Sequence, residues 1–176
     1  MDLWIGHVTY GNDAKRWLKA SGHYLDNPPP GCLFAIGVRA LRPVLFADLP
    51  VADGPLLGLC LVGRPVAPGL PQDHSIGEIT RMILLPGLPY GTASVVLRAA
   101  AAHGQRRGML SLIAYHDRTR HKGCIYRKAG FRKDGTTTPS PNSIGWASRP
   151  RPNSAHAGDT PKRRWRLDLA RPAEPA

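Results

Sequence analysis

The chain has 176 residues, 42% of them hydrophobic, and a formal net charge of +12 at pH 7. That length suffices for one globular domain with its own core and is too short for two of ordinary size. No apolar run in the sequence approaches the length of a membrane-spanning helix, and the first residues show no secretory signal pattern. We therefore expect a cytoplasmic protein without a membrane partner.

The positive charge is the strongest bulk feature of the composition. A sequence pI near 10.4 favours polyanionic partners, such as nucleic acid or a phosphate-rich cofactor. The alternative is a basic protein whose arginine content has no role in binding. Three cysteines, Cys32, Cys60 and Cys124, are too few for a disulfide framework and lie in apolar segments, which is typical of a reduced cytosolic protein.

Hydrophobic patterning predicts strands and helices along the first 135 residues. A strand at 3–10 is followed by a short helix at 13–20, with Asn12 as its cap. Two apolar strands (32–39 and 56–63) come next, joined by a connection rich in proline and glycine (41–55). The remaining predicted elements are a strand at 77–85, a helix at 91–103 that stops at Gly104, a strand at 109–115, a helix at 117–129 and a strand from 131.

This order of elements predicts an α/β fold with a mixed sheet flanked by helices. The strands at 32–39 and 56–63 are expected to form an antiparallel pair, whereas the strand–helix–strand unit at 77–115 requires a parallel pair with a right-handed crossover. We divide the chain into a catalytic domain (1–135), a loop rich in proline, serine and asparagine (136–161), and a last strand with a tail (162–176).

The loop before the helix at 91–103 has the composition of a phosphate-binding turn. Gly91 allows close approach of the backbone, and the helix that follows offers unpaired N–H groups and the positive end of its dipole. A plain strand-to-helix turn without a ligand is the alternative, since Pro89 removes one donor. The residues expected to contact a cofactor here are Leu84, Leu85, Tyr90, Gly91, Thr92, Ala93 and Ser94.

Two charged residues interrupt the strand at 77–85. Strict alternation places Glu78 and Arg81 on opposite faces of the sheet. A buried charge is costly unless it is paired or hydrated, so either the strand opens into a cleft or the charges form a structural ion pair. Glu78 is a candidate general base, and Arg81 is a candidate ligand for phosphate or for that carboxylate.

Asp117 and Tyr126 are further candidates. Asp117 ends a parallel strand, where α/β proteins keep their sites, although capping of the next helix is an equally good use for an aspartate. Tyr126 lies within the next predicted helix and faces either the cleft or the core. His116, His121 and Cys124 match no zinc pattern, and no Gly-x-Ser-x-Gly elbow is present, so we predict neither a metal site nor a serine hydrolase.

The segment Gly123-Cys124-Ile125-Tyr126-Arg127-Lys128-Ala129-Gly130-Phe131 combines a tyrosine in a short helix with a glycine that ends it and an aromatic residue that starts a strand. It resembles the motif that closes the catalytic core of the GNAT superfamily of N-acyltransferases, whose tyrosine often protonates the thiolate of coenzyme A. The pyrophosphate loop of that superfamily, Q/R-x-x-G-x-G/A, is matched in part by residues 88–93, with leucine at the first position. The resemblance implies a GNAT fold over about residues 3–135 and acetyl-CoA, or another acyl-CoA, as cofactor.

A closer resemblance is to the phage Mom-type DNA-modification proteins and their phage and prophage relatives. Those proteins modify the exocyclic amine of adenine in phage DNA and so protect it from restriction. The features that this sequence shares with them are Gly63-Arg64-Pro65 after the third strand, the strand Glu78-Ile79-Thr80-Arg81, the helix start Ala93-Ser94, Asp117, and the helix that contains Tyr126.

The resemblance implies an acyl-CoA-dependent enzyme that modifies a base amine of phage DNA in the cytoplasm of the host cell. Glu78, Asp117 and Tyr126 would be catalytic, and Arg81 would join the cofactor-binding residues. DNA, the coenzyme A donor and a second copy of the chain are the expected partners. The residues expected at the DNA are Arg64, Arg118, Arg120, Lys122, Arg127 and Lys128, with Trp146 and Trp165 as candidates for base stacking.

Two other functions stay open at this point. The first is an ordinary N-acetyltransferase that acts on a small amine or on a protein, in which case DNA is no substrate. The second is a DNA-binding module without enzymatic activity, which the leucine at position 88 favours because the superfamily has glutamine or arginine there.

Overall fold

A seven-stranded mixed sheet is the main feature of the computed structural model, which describes residues 2–22, 31–44, 47–51, 54–67, 69–120, 122–137 and 160–170. Its strands are β1 (Leu3–Val8), β2 (Cys32–Ala40), β5 (Leu56–Gly63), β6 (Ile76–Leu84), β7 (Ser111–Asp117), β8 (Arg132–Thr137) and β9 (Lys162–Asp168); β3 (Arg42–Val44) and β4 (Ala47–Val51) form a separate two-stranded ribbon. The spatial order is β1-β2-β5-β6-β7-β9-β8, and among the strands that the structure describes only β6 and β7 are parallel neighbours. The predicted mixed α/β fold is confirmed.

Three helices lie on the two faces of this sheet: α1 (Asn12–Ala20), α2 (Thr92–Arg106) and α3 (Cys124–Lys128). The crossover helix α2 buries an apolar stripe at helical spacing, formed by Val96, Leu97, Ala100, Ala101 and Gly104. On the other face α1 buries Ala14 and Leu18, which are one helical turn apart.

Alternation along β5 separates two apolar layers. Cys60 and Val62 pack in the cluster that contains α2 and α3, whereas Leu59 and Leu61 pack in the cluster that contains α1. Successive side chains of a strand point to opposite faces, so the sheet lies between both clusters. Burying a leucine as completely as Leu61 contributes about 1.5–3 kcal/mol to the stability of the fold.

The helix boundaries differ from the prediction for physical reasons. The helix α1 begins at Asn12, after Gly11, so Asn12 is the first helical residue and the prediction of an asparagine cap is wrong. The helix α2 continues through Gly104 because this glycine packs against the sheet, where an added Cβ would lie 3.3 Å from the sulfur of Met109. It ends just before Gly108, whose φ of +77° is incompatible with a helix.

The region predicted as one helix at 117–129 is a turn followed by a five-residue helix. Residues 118–120 turn after β7, and Gly123, with a φ of +71°, precedes α3. The predicted connection at 41–55 contains the ribbon β3–β4. Its prolines are tolerated because each strand of an isolated ribbon has one edge that makes no ladder hydrogen bonds.

The last strand enters the interior of the sheet. β9 lies between β7 and β8 and is antiparallel to both, with Trp165 paired to Ala114 on one side and to Lys133 on the other. It corresponds to the strand predicted near the end of the chain. Most of the predicted loop at 136–161 lies outside the described residues, and the division into domains stays a prediction. Among the residues that the structure describes, no helix is long and apolar enough to cross a membrane.

Candidate active site

The two parallel strands part half-way along their length. β6 pairs with β7 only over residues 76–79, which lie opposite residues 111–114. Beyond this point β6 stays paired with β5 as far as Leu84, and β7 stays paired with β9 as far as Asp117. A wedge therefore opens between the carboxyl ends of β6 and β7. The backbone N–H and C=O groups that face each other across this wedge need other partners, which a ligand or water can supply.

A β-bulge in β6 lies where the wedge begins. Ile79 and Arg81 pair with consecutive residues of β5, so Thr80 is an extra residue in β6. Ile79 and Met82 both point to the α2 side of the sheet. Glu78, before Ile79, and Arg81, before Met82, therefore share the opposite face, which α1 covers. The prediction that Glu78 and Arg81 face opposite ways is wrong, because the bulge interrupts the alternation on which it rested.

Glu78 is a buried carboxylate at the closed end of the wedge. It is 7% exposed, and its Oε2 atom accepts a hydrogen bond of 2.8 Å from the backbone N–H of Val66. Burial raises the pKa of Glu78, and the Val66 N–H together with the charges of Lys162 and Arg81 opposes this rise. A carboxylate with a raised pKa is a stronger base than an ordinary one, which suits a group that takes a proton from an amine.

Asp117, at the free end of β7, has the opposite environment. Its Oδ1 atom accepts hydrogen bonds from the backbone N–H of Thr119 at 2.8 Å and from the Thr119 hydroxyl at 2.6 Å, and its Oδ2 atom accepts one from the Thr160 hydroxyl at 2.9 Å. The Thr119 hydroxyl is the main cause of a pKa lowered to about 2, to which the other donors and Arg120 also contribute. These contacts stabilise the turn after β7, and the predicted role of Asp117 as a helix cap is wrong because α3 begins only after Gly123. So weak a base also takes up protons poorly.

Tyr126 lies in a stack of rings on the α2 side of the sheet. Its ring centroid is 5.6 Å from that of Trp165 and 5.9 Å from that of His116, with interplanar angles of 20° and 21°. Phe131, the residue before β8, meets the tyrosine edge-on. The ring is therefore part of the core cluster that contains α2, and it lies beside the free end of β7, where His116 is the penultimate residue.

The candidate base and the candidate acid thus lie on opposite faces of the sheet. Glu78 is on the face that α1 covers, whereas Tyr126 packs with Leu112 and Ala114 of β7 on the α2 face. A continuous sheet would keep the two groups apart. The strands part just beyond Glu78, and Tyr126 lies beside the free end of β7, so both groups lie next to the wedge.

The turn between β6 and α2 presents backbone donors. Gly91 has a φ of +93°, which residues with a side chain rarely adopt. The N–H groups of Thr92 and Ser94 bond to carbonyls of the turn, whereas those of Gly91 and Ala93 meet no backbone acceptor within the described part of the chain. The amino end of α2 therefore offers N–H donors and the positive end of its dipole to an anion.

A cavity of about 620 Å³ opens beside this turn. Its polar lining consists of Tyr90, Gly91, Thr92, Ser94, Arg98 and Lys128, and β1 contributes apolar residues. Tyr90 is 92% exposed, and the ammonium group of Lys128 lies 4.3 Å from its ring centroid and also hydrogen-bonds to its hydroxyl. Cations beside apolar walls suit a ligand that has both phosphate and apolar groups.

The other predicted cofactor residues are more scattered. Leu84 packs against the core on the α2 side, and the Leu85 N–H bonds to a carbonyl of β5 at 2.9 Å. The Ser94 hydroxyl donates to the carbonyl of Ile125 at 3.2 Å and so joins α2 to α3. The structure brings residues 90–94 together at the turn, but it places Arg81 on the other face of the sheet.

The six basic residues predicted to contact DNA are all exposed. Five of them, Arg118, Arg120, Lys122, Arg127 and Lys128, follow the free end of β7 in the turn and in α3, and the sixth, Arg64, follows β5. Further cations share the face of Glu78: Lys162, Arg164 and Arg166 alternate with the buried Trp165 along β9. Arg164 and Arg166 are paired with Asp134 and Asp168, at 2.9 and 2.7 Å.

Two residues gain a role that sequence reasoning missed. His116 was considered only as a metal ligand, and Trp165 as a stacking or core residue, but their side chains form a buried pair against Tyr126. No group of three or more potential metal ligands occurs among the described residues. The alternation of Leu112, Ala114 and His116 along β7 was the available signal, since it puts His116 on an apolar face.

Comparison with proteins of known structure identifies the fold. No model of a protein family matches the sequence, and no curated protein sequence matches it. An acetyltransferase of the GNAT family from Desulfovibrio desulfuricans superposes with a TM-score of 0.59 at 11% identity, over 96% of this chain and 100% of that one. A Bacillus subtilis acetyltransferase in complex with CoA gives 0.59 at 15% identity, over 96% and 100%. The ribosomal-protein-S18-alanine N-acetyltransferase of Escherichia coli gives 0.59 at 10% identity, over 99% of both chains. The protein therefore has the fold of the GNAT acetyltransferases.

Proposed function

We propose that this protein is an acyl-CoA-dependent N-acyltransferase whose acceptor is an exocyclic base amine of DNA. One observation carries the proposal: the wedge between β6 and β7 has a buried carboxylate on one face, a tyrosine on the other and a donor-rich helix end beside it. The GNAT fold supports the same reaction class, because the Bacillus subtilis protein of this fold was solved in complex with CoA.

The residues around the wedge fit an acyl-CoA. The pyrophosphate suits the N–H groups of Gly91 and Ala93 at the positive end of α2. Lys128 and Arg98 beside the cavity suit the remaining phosphate charge, and Tyr90 offers a flat surface to the adenine. The pantetheine arm has amide groups, which can pair with the parted edges of β6 and β7 as an added strand would.

Acyl-CoA would supply the thioester whose acyl group is transferred. Glu78 takes one proton from the amine, directly or through water, as the C–N bond forms and the C–S bond breaks. Tyr126 gives one proton to the sulfur that leaves. The bulge at Thr80 contributes by turning Arg81 to the same face as Glu78, where its positive charge favours the ionised carboxylate.

The basic surface around the free end of β7 supports DNA as the acceptor. Its cations lie next to the wedge, and those of the turn and of α3 are exposed, so they are suited to backbone phosphates. A base amine inside a duplex is out of reach, so the base has to be extruded or single stranded. The sequence resembles the Mom-type proteins, and by that resemblance the modified base would be adenine. The modification would then protect phage DNA from restriction.

The test of this proposal is nucleoside mass spectrometry of plasmid DNA from cells that express the wild type, Glu78→Gln or Tyr126→Phe. We expect one mass-shifted nucleoside with the wild type and a strong decrease with both variants. Its mass names the transferred group. Calorimetric titration of the purified protein with acetyl-CoA accompanies this experiment, and Gly91→Ala is expected to weaken binding.

Each alternative function has its own outcome. Unmodified DNA together with release of free CoA in the presence of polyamines or peptides would favour the acetyltransferase of small amines or proteins. DNA binding without any acyl-CoA binding would favour the non-enzymatic module. For DNA as partner, the logarithm of the binding constant should fall linearly with the logarithm of the salt concentration, and Arg118→Ala with Lys122→Ala should reduce the slope.

A further inference from the structure

A buried hydrogen bond joins His116 of β7 to Trp165 of β9. The indole Nε1–H donates to the imidazole Nδ1 at 2.6 Å, and the two residues are only 4% and 3% exposed. Since Nδ1 accepts this bond, the proton of the neutral imidazole is on Nε2. The bond therefore fixes both the tautomer of His116 and the rotation of the two rings.

The same two rings form the surface against which Tyr126 stacks. Their centroids are within 6 Å of the tyrosine centroid, at interplanar angles near 20°. Gly123, which precedes α3, leaves the room for this arrangement: an added Cβ would lie 2.6 Å from Cε1 of His116 and 2.9 Å from Cζ2 of Trp165. Helix α3, which holds the tyrosine, is thus seated directly on the pair.

We propose that His116 and Trp165 are positioning residues for Tyr126. This inference rests on the proposed function, in which Tyr126 delivers a proton to the leaving sulfur. A helix of five residues has little rigidity of its own, so the tyrosine takes its orientation from the rings beneath it. The bond between those rings keeps them from rotating. A displacement of about 1 Å at a reacting group can cost about 100-fold in rate, so such a support has a measurable effect.

A kinetic double-mutant cycle tests this role. Trp165→Phe keeps an aromatic ring but removes the donor, and we expect its kcat to fall about 10-fold while the KM for acyl-CoA changes less than about 2-fold. In a Tyr126→Phe background the same substitution should have almost no further effect, because the tyrosine through which it acts is gone. A pair that only stabilises the fold would instead give independent, multiplying effects.

Trp17→Phe is the matched control. The Trp17 indole also donates a partly buried hydrogen bond, of 2.8 Å to the carbonyl of Leu56. Trp17 belongs to α1, so this bond lies on the other face of the sheet. The substitution should lower the melting temperature about as much as Trp165→Phe does and leave kcat unchanged. Circular dichroism of each variant establishes that it is folded before its kinetics are compared.

A readout that does not depend on activity is the ¹⁵N spectrum of His116. The wild type should show an unprotonated Nδ1 and a protonated Nε2, and Trp165→Phe should lose that preference. An active wild type whose Trp165→Phe and Tyr126→Phe effects multiply would overturn the positioning role and leave the proposed function intact. A wild type that transfers no acyl group to any amine would overturn both. A His116 with the proton on Nδ1 would overturn the hydrogen bond on which the positioning role depends.

Discussion

The two strands that border the wedge each have a carboxylate, and the two carboxylates have opposite properties. Glu78, on β6, is buried with a single backbone donor, so its pKa is raised. Asp117, on β7, has several donors from Thr119 and Thr160, so its pKa is lowered to about 2. Both residues are 7% exposed. At Glu78 the loss of hydration outweighs the single donor, whereas at Asp117 the hydrogen bonds outweigh it, so of the two only Glu78 has a pKa that suits a base.

The turns that follow the two strands differ in how their backbone N–H donors are used. After β6, the N–H groups of Gly91 and Ala93 meet no backbone acceptor among the described residues, so in the proposed function they bind the anion. After β7, the N–H of Thr119 is consumed by the Asp117 carboxylate, which closes the turn. In the proposed function, β6 and its turn thus serve binding and chemistry, whereas the end of β7 serves structure. The predictions below separate these two roles.

Glu78→Gln should have the largest effect on activity. Glutamine keeps the shape and the bond from Val66 but cannot take up a proton, so kcat should fall by about 100-fold or more. In the wild type kcat should rise with pH as Glu78 loses its proton, and the midpoint should lie above the ordinary pKa of a glutamate because burial raises it. Stopped-assay measurements of kcat from pH 4.5 to pH 9 test both statements.

The matched control for this variant is Asp168→Asn, which removes an exposed carboxylate at the far end of β9. It should leave kcat and its pH dependence unchanged. If Asp117→Asn removed the acid limb of the profile and Glu78→Gln did not, the assignment of the base to β6 would be wrong.

Gly91→Ala should weaken acyl-CoA binding by about 10-fold. An alanine at a φ of +93° costs about 1–2 kcal/mol, and relief of this strain by a change in φ rotates the N–H donors away from a phosphate. Gly87→Ala is a close control, since Gly87 has a φ of +86° in the same loop and both sites have open space for a Cβ. Both variants should lose similar stability, and only Gly91→Ala should raise the dissociation constant in calorimetry.

Asp117→Asn should act on stability and leave the base in place. The variant weakens charge-assisted bonds from Thr119 and Thr160, which should lower the melting temperature by about 3–6 °C at pH 7. A carboxylate whose pKa is lowered on folding stabilises the protein above its unfolded pKa, so this contribution should disappear as the pH falls from about 4 to about 2. Melting curves of both proteins should therefore converge in acid, and a constant difference would contradict the prediction.

The sequence was sufficient for the order of the elements in the main sheet, but not for the ribbon β3–β4 or for the local irregularities that build the site. Strands such as β5 and helices such as α2 can be predicted from the pattern of their apolar residues, because that pattern belongs to the segment itself. The bulge at Thr80 leaves no such trace, because it depends on how β5 pairs with β6, and it reverses the predicted side of Arg81. The parting of β6 and β7 is likewise a property of two strands together.

Helix α3 and the stacked rings beside it show a second limit of prediction from the sequence. Residues 117–129 have the composition of one helix, but the hydrogen bonds from Thr119 to Asp117 and the left-handed Gly123 end one element and start another. The pairing of His116 with Trp165 joins residues 49 positions apart, so it becomes visible only once β9 is inserted beside β7. Candidate residues could be chosen by type from the sequence, whereas their roles depend on contacts across the sheet.

Burial changes the pKa of a histidine in the opposite direction from that of Glu78, and α2 carries an example at its far end. The pKa of His103 is lowered by burial and then by the charges of His7, Arg106 and Arg107. The folded protein thus binds fewer protons there than the unfolded chain, so this contribution to stability is complete above the unfolded pKa of about 6.5 and is lost as the pH falls below it.

His103→Phe should flatten this dependence of stability on pH, because phenylalanine keeps an aromatic ring between His7 and Phe34 but has no group that titrates. The ring is only partly buried, so solvent screens the effect, and the gain in melting temperature at pH 5.5 relative to pH 7.5 should be about 1–2 °C. The exposed His74, replaced by asparagine, is the control and should show no such gain. An equal gain in both variants would mean that general charge repulsion in this basic protein, and not the burial of His103, sets its stability in mild acid.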